Sequence, residues 1–227
     1  MMDSSHPDPV DVISLDDAYA VKTPSDNKRL YAKWASTYET SFVESNRYRY
    51  PRAVAEHFSK IVPPQIGENF VDIGCGTGIV GSCLSSLRPN CQIAGIDISP
   101  EMLAEATTKT RGDSSPVYYQ LIEADLTISL VSQFDKFDAM LSAGTFTHGH
   151  LGPEVFKLLL PLVRTGGWFV IGVNAEHFSS RGFAEMLDIT ERSGHIESLD
   201  LHRVQVYEQG SPHFGDQAVI ATFRRVN

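Results

Sequence analysis

From Asn69 onward the chain repeats one unit, a short apolar strand, a small-residue turn and a helix, and that alternation leaves few folds open. Phe70-Val71-Asp72-Ile73 reads as a strand, Gly74-Cys75-Gly76-Thr77-Gly78 as a turn, and Ile79–Leu87 as a helix stopped by Pro89. Residues 92–96 predict the next strand. Ser99 then caps a helix that opens on Pro100 and Glu101 and lasts until Gly112. Proline lacks an N–H that a first turn leaves unpaired anyway, and an acid suits the positive end of the helix dipole. Residues 118–122 and 137–142 predict two more strands, 153–163 an apolar helix ended by Gly166-Gly167, and 168–173 a fifth strand. Two alternating stretches, 202–207 and 217–223, predict a closing antiparallel pair. Strands that are apolar throughout are buried on both faces, so helices must cover both sides of a mostly parallel sheet. The expected fold class is α/β and doubly wound.

Ahead of this unit the pattern is helical. Leu30, Trp34, Tyr38 and Phe42 recur every four residues, with Ser25 or Asp26 placed to cap the start. A second helix over 51–62 carries Val54, Phe58 and Ile61 on one face and ends at Pro63-Pro64, where the next turn lacks a donor. Residues 1–24 are acidic, short of large apolar groups and closed by Thr23-Pro24. The expected organisation is a flexible arm over 1–24, a helical cap over 25–66 and one ligand-binding domain over 67–227.

Composition narrows the partners. The chain of 227 residues is 42% hydrophobic and 21% charged, enough to bury a core. No apolar run is long enough for a membrane span, and the opening MMDSSHPDPV has neither a basic start nor an apolar stretch, which predicts a cytoplasmic protein. Nineteen Lys and Arg against 28 Asp and Glu leave a net charge of −9, without the cationic footprint that nucleic acid or an anionic membrane requires. Arg47, Arg49 and Arg52, interleaved with Tyr48 and Tyr50, form the one dense basic patch, a local anion contact or a solvated helix approach. Cys75, Cys83 and Cys91 are odd in number, with no CxxC and no His pair to complete a zinc pattern, so free thiols and no metal are expected.

Sheets of this kind bind ligands beyond the carboxyl ends of their strands. The turn after the first strand sits there, and its glycines let backbone approach a ligand without an intervening Cβ, while the following helix offers free N–H groups. Asp72 immediately precedes the turn. Beside a dinucleotide pyrophosphate that carboxylate would be repelled, and the third glycine comes one residue too early for GxGxxG. S-adenosylmethionine fits better, because an acid stabilises its ammonium and sulfonium and it brings a single carboxylate for the loop amides. Asp97 ends the second strand, roughly 20 residues on, where it can accept from a ribose diol. Asp125 follows the third strand, placed to accept from an adenine amino group. Three acids at neighbouring strand ends predict a negative pocket suited to a cationic nucleoside.

Val71-Asp72-Ile73-Gly74-Cys75-Gly76-Thr77-Gly78, Gly95-Ile96-Asp97-Ile98-Ser99, Glu123-Ala124-Asp125-Leu126 and Phe137-Asp138-Ala139-Met140 together resemble the successive motifs of class I S-adenosylmethionine-dependent methyltransferases, over about residues 28 to 225. Leu30-Tyr31-Ala32-Lys33-Trp34-Ala35-Ser36-Thr37-Tyr38-Glu39 and Ala143-Gly144-Thr145-Phe146-Thr147-His148-Gly149-His150 look like the small cytosolic group related to the Williams–Beuren-region methyltransferase. The resemblance implies a seven-stranded, Rossmann-like sheet with one antiparallel strand. It implies cofactor contacts at Gly74, Gly76 and Asp97, with Ile98 and Met102 bordering the adenine and Tyr31, Trp34 and Tyr38 closing over the methionine end. Cys75, Thr77, Gly78, Leu126 and Ser142 complete the candidate cofactor set. Relatives often carry Asp where this chain has Ala32, one departure in the cap.

Methyl transfer is an in-line displacement in which positioning and exclusion of water do most of the work, and a base is needed only for an acceptor that keeps its proton. His148 and His150, in the loop after the fourth strand, are the candidate catalytic residues, able to take a proton, hold an acceptor or simply bond loop carbonyls. The expected acceptor is a small molecule and the expected state a monomer or homodimer. The alternatives are a protein that holds the cofactor without turnover and an NAD-dependent oxidoreductase.

Overall fold

The structure, a computed structural model, describes residues 13, 15–21, 23–128 and 136–226, and gives the backbone alone for Leu15, Asp16 and Tyr19. Residues 1–12 of the expected arm lie outside the described residues. Inside the same stretch α1 (Leu15–Ala20) is helical and buries Ala18.

Helix α2 (Pro24–Trp34) starts one residue ahead of the expected cap. Thr23 takes that role: its side chain accepts from the Asp26 N–H at 3.1 Å, and the Asp26 carboxylate accepts from the Thr23 N–H at 3.1 Å. This reciprocal box, with Pro24 in the first turn, gives acceptors to two backbone donors that would otherwise be orphaned. The four-residue stripe then runs through a π-helical turn, Glu39–Glu44, rather than one continuous helix. The wider turn takes back the drift that a four-residue spacing accumulates against a 3.6-residue period, so Trp34, Tyr38 and Phe42 stay in contact. Helix α3 (Tyr50–Ile61) buries Tyr50, Val54 and Phe58, with Phe58 edge-on to Phe70 at 4.9 Å.

The strand–helix alternation follows: β1 (Asn69–Ile73), α4 (Ile79–Leu87), β2 (Gln92–Asp97), α5 (Pro100–Thr107), β3 (Tyr118–Glu123), β4 (Phe137–Phe146), α6 (Phe156–Leu159), β5 (Val163–Asn174), α7 (Ala175–Ser180), α8 (Phe183–Arg192), β6 (Ile196–Gln205) and β7 (Gln217–Arg225). The seven strands lie in the order β3-β2-β1-β4-β5-β7-β6, with β7 antiparallel to both its neighbours. Phe70 packs into the core on one face of the sheet and Val71 into the core on the other, the burial a doubly wound sheet demands. The chain crosses from β3 back to β4 beside β1, so the switch-point crevice opens at the ends of β1 and β4.

Three sequence readings are corrected. The apolar stretch 153–163 is no single helix, because Pro161 limits α6 to Phe156–Leu159, with 3-10 turns Pro153–Val155 and Leu160–Leu162 on either side. Gly166-Gly167 does not end a helix but lies inside β5, where a Cβ at Gly167 would sit 2.6 Å from the Asp138 carbonyl oxygen. Helix α5 stops at Thr107, five residues before Gly112. Helices α7 and α8 were not expected. Asn174 caps α7 by accepting from the Glu176 and His177 N–H groups at 3.0 and 3.1 Å, and α8 buries Phe183 and Leu187, one turn apart. Among the described residues no helix is long and apolar enough to cross a membrane.

Candidate active site

The glycine turn is fixed from both sides. The N–H groups of Gly74 and Cys75 donate to the Ile96 carbonyl at 2.8 and 3.1 Å, tying the turn to β2. Gly74 has φ +64, and a Cβ there would lie 2.0 Å from the Thr145 hydroxyl, so only glycine lets β4 approach this closely. Gly76, at φ +52, differs: a Cβ on it would meet nothing within 4 Å. Its bare face opens onto a cavity of about 250 Å³.

Most of the expected site residues meet in that cavity. Gly74, Cys75, Gly76 and Thr77 form its floor, Asp97, Ile98 and Met102 one wall, Asp125 and Leu126 another, and Tyr31, Trp34 and Tyr38 its cover. The cover is tied to the body by ion pairs, Lys28 with Glu123 at the end of β3 and Glu39 with Lys109 at 2.7 Å. Asp97 Oδ2 accepts from the Gly76 N–H at 2.8 Å and Oδ1 from the Ser99 N–H at 2.9 Å. Burial raises the Asp97 pKa, and those amide bonds partly offset it. Asp125 Oδ1 accepts from the Thr127 N–H and hydroxyl at 2.9 and 2.6 Å, which fixes the turn that carries it.

Asp72, Gly78 and Ser142 do not line the cavity. Asp72 is fully buried beneath the turn, where the Tyr118 hydroxyl donates to Oδ2 at 2.7 Å and Oδ1 has no hydrogen-bond partner. Burial pushes its pKa up to about 7, with the neighbouring Asp97 charge adding to the rise. Gly78 is the left-handed residue that starts α4, and Ser142 donates to the Ile73 carbonyl at 2.7 Å, pinning β4 to β1. All three therefore shape the turn from behind.

The two histidines part company. His150 lines the cavity with Nδ1 2.8 Å from the His148 carbonyl and Nε2 3.2 Å from the Tyr31 hydroxyl. A carbonyl only accepts, so Nδ1 carries the proton and Nε2 accepts from Tyr31. Burial lowers the His150 pKa and keeps the ring neutral. His148 instead lines a separate depression beside α7, with Nε2 3.9 Å from Glu176. Among the described residues no group of three metal-ligating side chains occurs.

The sequence reading missed Asn27, Tyr48, Tyr50 and Tyr207, which also line the cavity. Tyr48 and Tyr50 stood within the basic patch, but Arg47 bonds the Gln209 carbonyl at 2.8 Å and Arg52 pairs with Glu56 at 2.9 Å. The tyrosines, not the arginines, reach the site. Asn27 Oδ1 and Thr77 Oγ1 are buried without a hydrogen-bond partner on residues that line this one cavity. Buried polar atoms normally find partners, so the pair marks a place for a polar ligand. An open glycine face, a carboxylate beside it and unpaired polar atoms fit an amino-acid nucleoside.

Comparison with known proteins gives this geometry its chemistry. The family described as a methyltransferase domain matches residues 70–167. The ubiquinone biosynthesis O-methyltransferase of Burkholderia cenocepacia is 24% identical over 159 residues, covering 62% of this chain and 67% of that protein. An S-adenosylmethionine-dependent methyltransferase from Clostridium acetobutylicum superposes with a TM-score of 0.57 at 15% identity, over 87% of this chain and 99% of that one. The plantazolicin methyltransferase BpumL in complex with SAH gives 0.53 at 15% identity, over 88% and 96%. Residues 70–167 thus match a methyltransferase domain, and the chain has the Rossmann-like fold of the S-adenosylmethionine-dependent methyltransferases on which it superposes.

Proposed function

We propose that the cavity holds S-adenosylmethionine over the ends of β1, β2 and β3 and a small-molecule acceptor over β4 and β5. The observation that carries this is the open face of Gly76, with the Asp97 carboxylate 2.8 Å from its amide, in a cavity that continues under the cap rings. Asp97 receives the ribose diol, Ile98 and Met102 border the adenine, and Asp125 faces its amino group. Thr77 and Asn27 serve the methionine end under Tyr31, Trp34 and Tyr38. Asp72 supports the turn rather than touching the ligand.

When bound, the cofactor supplies an electrophilic methyl carbon on a good leaving group. The chain's own contribution is orientation and dryness: Trp34 and Phe42 are buried in the cap, and Thr145 holds the turn by donating to the Ile73 carbonyl at 3.0 Å. His150 has both ring nitrogens engaged and takes no proton from the acceptor. A small acceptor is favoured by a cavity of about 250 Å³ and the net charge of −9. Two of the similar proteins carry names of small-molecule methyltransferases, for ubiquinone biosynthesis and for plantazolicin. On its cap and strand-four motifs we place the chain near the small group related to the Williams–Beuren-region methyltransferase. The test is calorimetric titration with S-adenosylhomocysteine, followed by release of that product with panels of small amines, thiols, phenols and carboxylic acids. Binding with turnover on one panel supports the reading, whereas turnover only on RNA or a folded protein overturns it.

A further inference from the structure

The half of the cavity over β4 and β5 is walled by rings rather than charges: Tyr38, Phe42, Tyr48, Tyr50 and Tyr207. Their centroids lie 5.3 Å apart for Tyr38–Phe42, 5.1 Å for Phe42–Tyr48, 6.2 Å for Tyr48–Tyr50 and 5.5 Å for Tyr48–Tyr207. The wall is fixed by backbone. Tyr48 and Tyr207 face each other in an antiparallel bridge, flanked by Arg49 N–H to Val206 carbonyl and Glu208 N–H to Arg47 carbonyl, both at 3.0 Å. Burial holds the hydroxyls of Tyr38, Tyr48 and Tyr50 above their ordinary range, so the rings stay neutral. Among the described lining residues the carboxylates are Asp97 and Asp125, and none is Lys or Arg.

That combination sorts acceptors by charge. A carboxylate or phosphate would meet no Lys or Arg among the described lining residues, at a desolvation cost that the rings do not offset. A hydroxyl would need a base, and His150 is committed on both nitrogens. An amine in its free-base form needs none. Its nitrogen lone pair forms the bond to the methyl carbon while the carbon–sulfur bond breaks with its electron pair moving to sulfur. Positive charge leaves sulfur and appears on nitrogen. A secondary amine then gives its proton to water, and a tertiary amine ends as a quaternary ammonium. Ring faces attract the charge that develops on nitrogen more than they attract the neutral amine, so they favour the transition state over the ground state.

We propose that the acceptor is a small amine, and that the five-ring wall is the subsite that holds it and the ammonium product. The inference rests on the placement of the cofactor over β1 to β3. Full-length protein saturated with S-adenosylhomocysteine is titrated calorimetrically with choline and with its uncharged carbon isostere, 3,3-dimethylbutan-1-ol. Choline should bind about tenfold more tightly or better, and Tyr48→Leu and Tyr207→Leu should each erase most of that preference. Tyr48→Phe, which keeps the ring, should retain it, and S-adenosylhomocysteine binding should stay within about twofold throughout. Equal affinity for the two probes, binding of neither, or tighter binding of acetate overturns the amine assignment while leaving the cofactor reading in place. Failure of wild-type protein to bind S-adenosylhomocysteine overturns both.

Discussion

The Tyr31 hydroxyl donates to His150 Nε2 at 3.2 Å, while the proton on Nδ1 is spent on the His148 carbonyl. One aromatic of the cap is thereby latched to the loop after β4, 119 residues away in the chain. A histidine used as a latch has no lone pair left for an incoming proton.

His150→Gln should accordingly lower kcat/KM by less than about tenfold, since loss of a general base costs about a hundredfold or more. The pH–rate profile should keep its shape. A drop of a thousandfold, or a vanished acidic limb near the histidine range, would show that His150 handles a proton after all.

Asp97→Ala removes an acceptor from the Gly76 and Ser99 amides as well as from the ligand. S-adenosylhomocysteine binding should weaken by about 1–3 kcal/mol. Asp125→Ala should cost less, because Asp125 Oδ1 already serves Thr127. Titration calorimetry of the two variants under one buffer decides the order.

Gly74→Ala and Gly76→Ala separate stability from binding. An alanine methyl at Gly74 meets the Thr145 hydroxyl at 2.0 Å, so it should forfeit folding or much of the melting temperature. At Gly76 the methyl points into open space, and only the left-handed backbone is penalised, by about 1 kcal/mol. That variant should fold, melt a few degrees lower and lose affinity for S-adenosylhomocysteine, about tenfold or more, as the methyl fills ligand space.

The buried Asp72 carboxyl carries a pH signature. Its folded pKa, about 7, stands above the unfolded value of 3.8, so the folded chain holds the proton more tightly. Stability from this group is fully present below pH 4 and falls as pH rises through 7, by on the order of 4 kcal/mol. Asp72→Asn should therefore gain stability relative to wild type between pH 5 and pH 8 in urea unfolding. A parallel pH dependence in the two proteins would show that Asp72 is ionised at no such cost.

The first strand and the glycine turn were legible because their causes are local. Phe70, Val71 and Ile73 form a short apolar strand interrupted only by Asp72, and Gly74 and Gly76 follow at once, so a buried strand and a left-handed turn are written into a few adjacent residues. The acid at the end of β2 was legible for the same reason. The break in 153–163 was local too, in Pro161, but an apolar run reads alike whether it forms one helix or several short turns.

What the tertiary structure alone decided was which side chains face the cavity. Asp97 ends β2 and Asp72 stands one residue short of the end of the neighbouring β1, and register puts Asp72 beneath the turn and Asp97 on the wall. His148 and His150 are two residues apart and face different depressions. Tyr48 meets Tyr207 only because the segment after β6 folds back onto the cap, a contact no local pattern encodes. Backbone preference acts over a few residues and can be read along the chain, whereas the direction of a side chain into a site depends on packing against residues more than a hundred positions away.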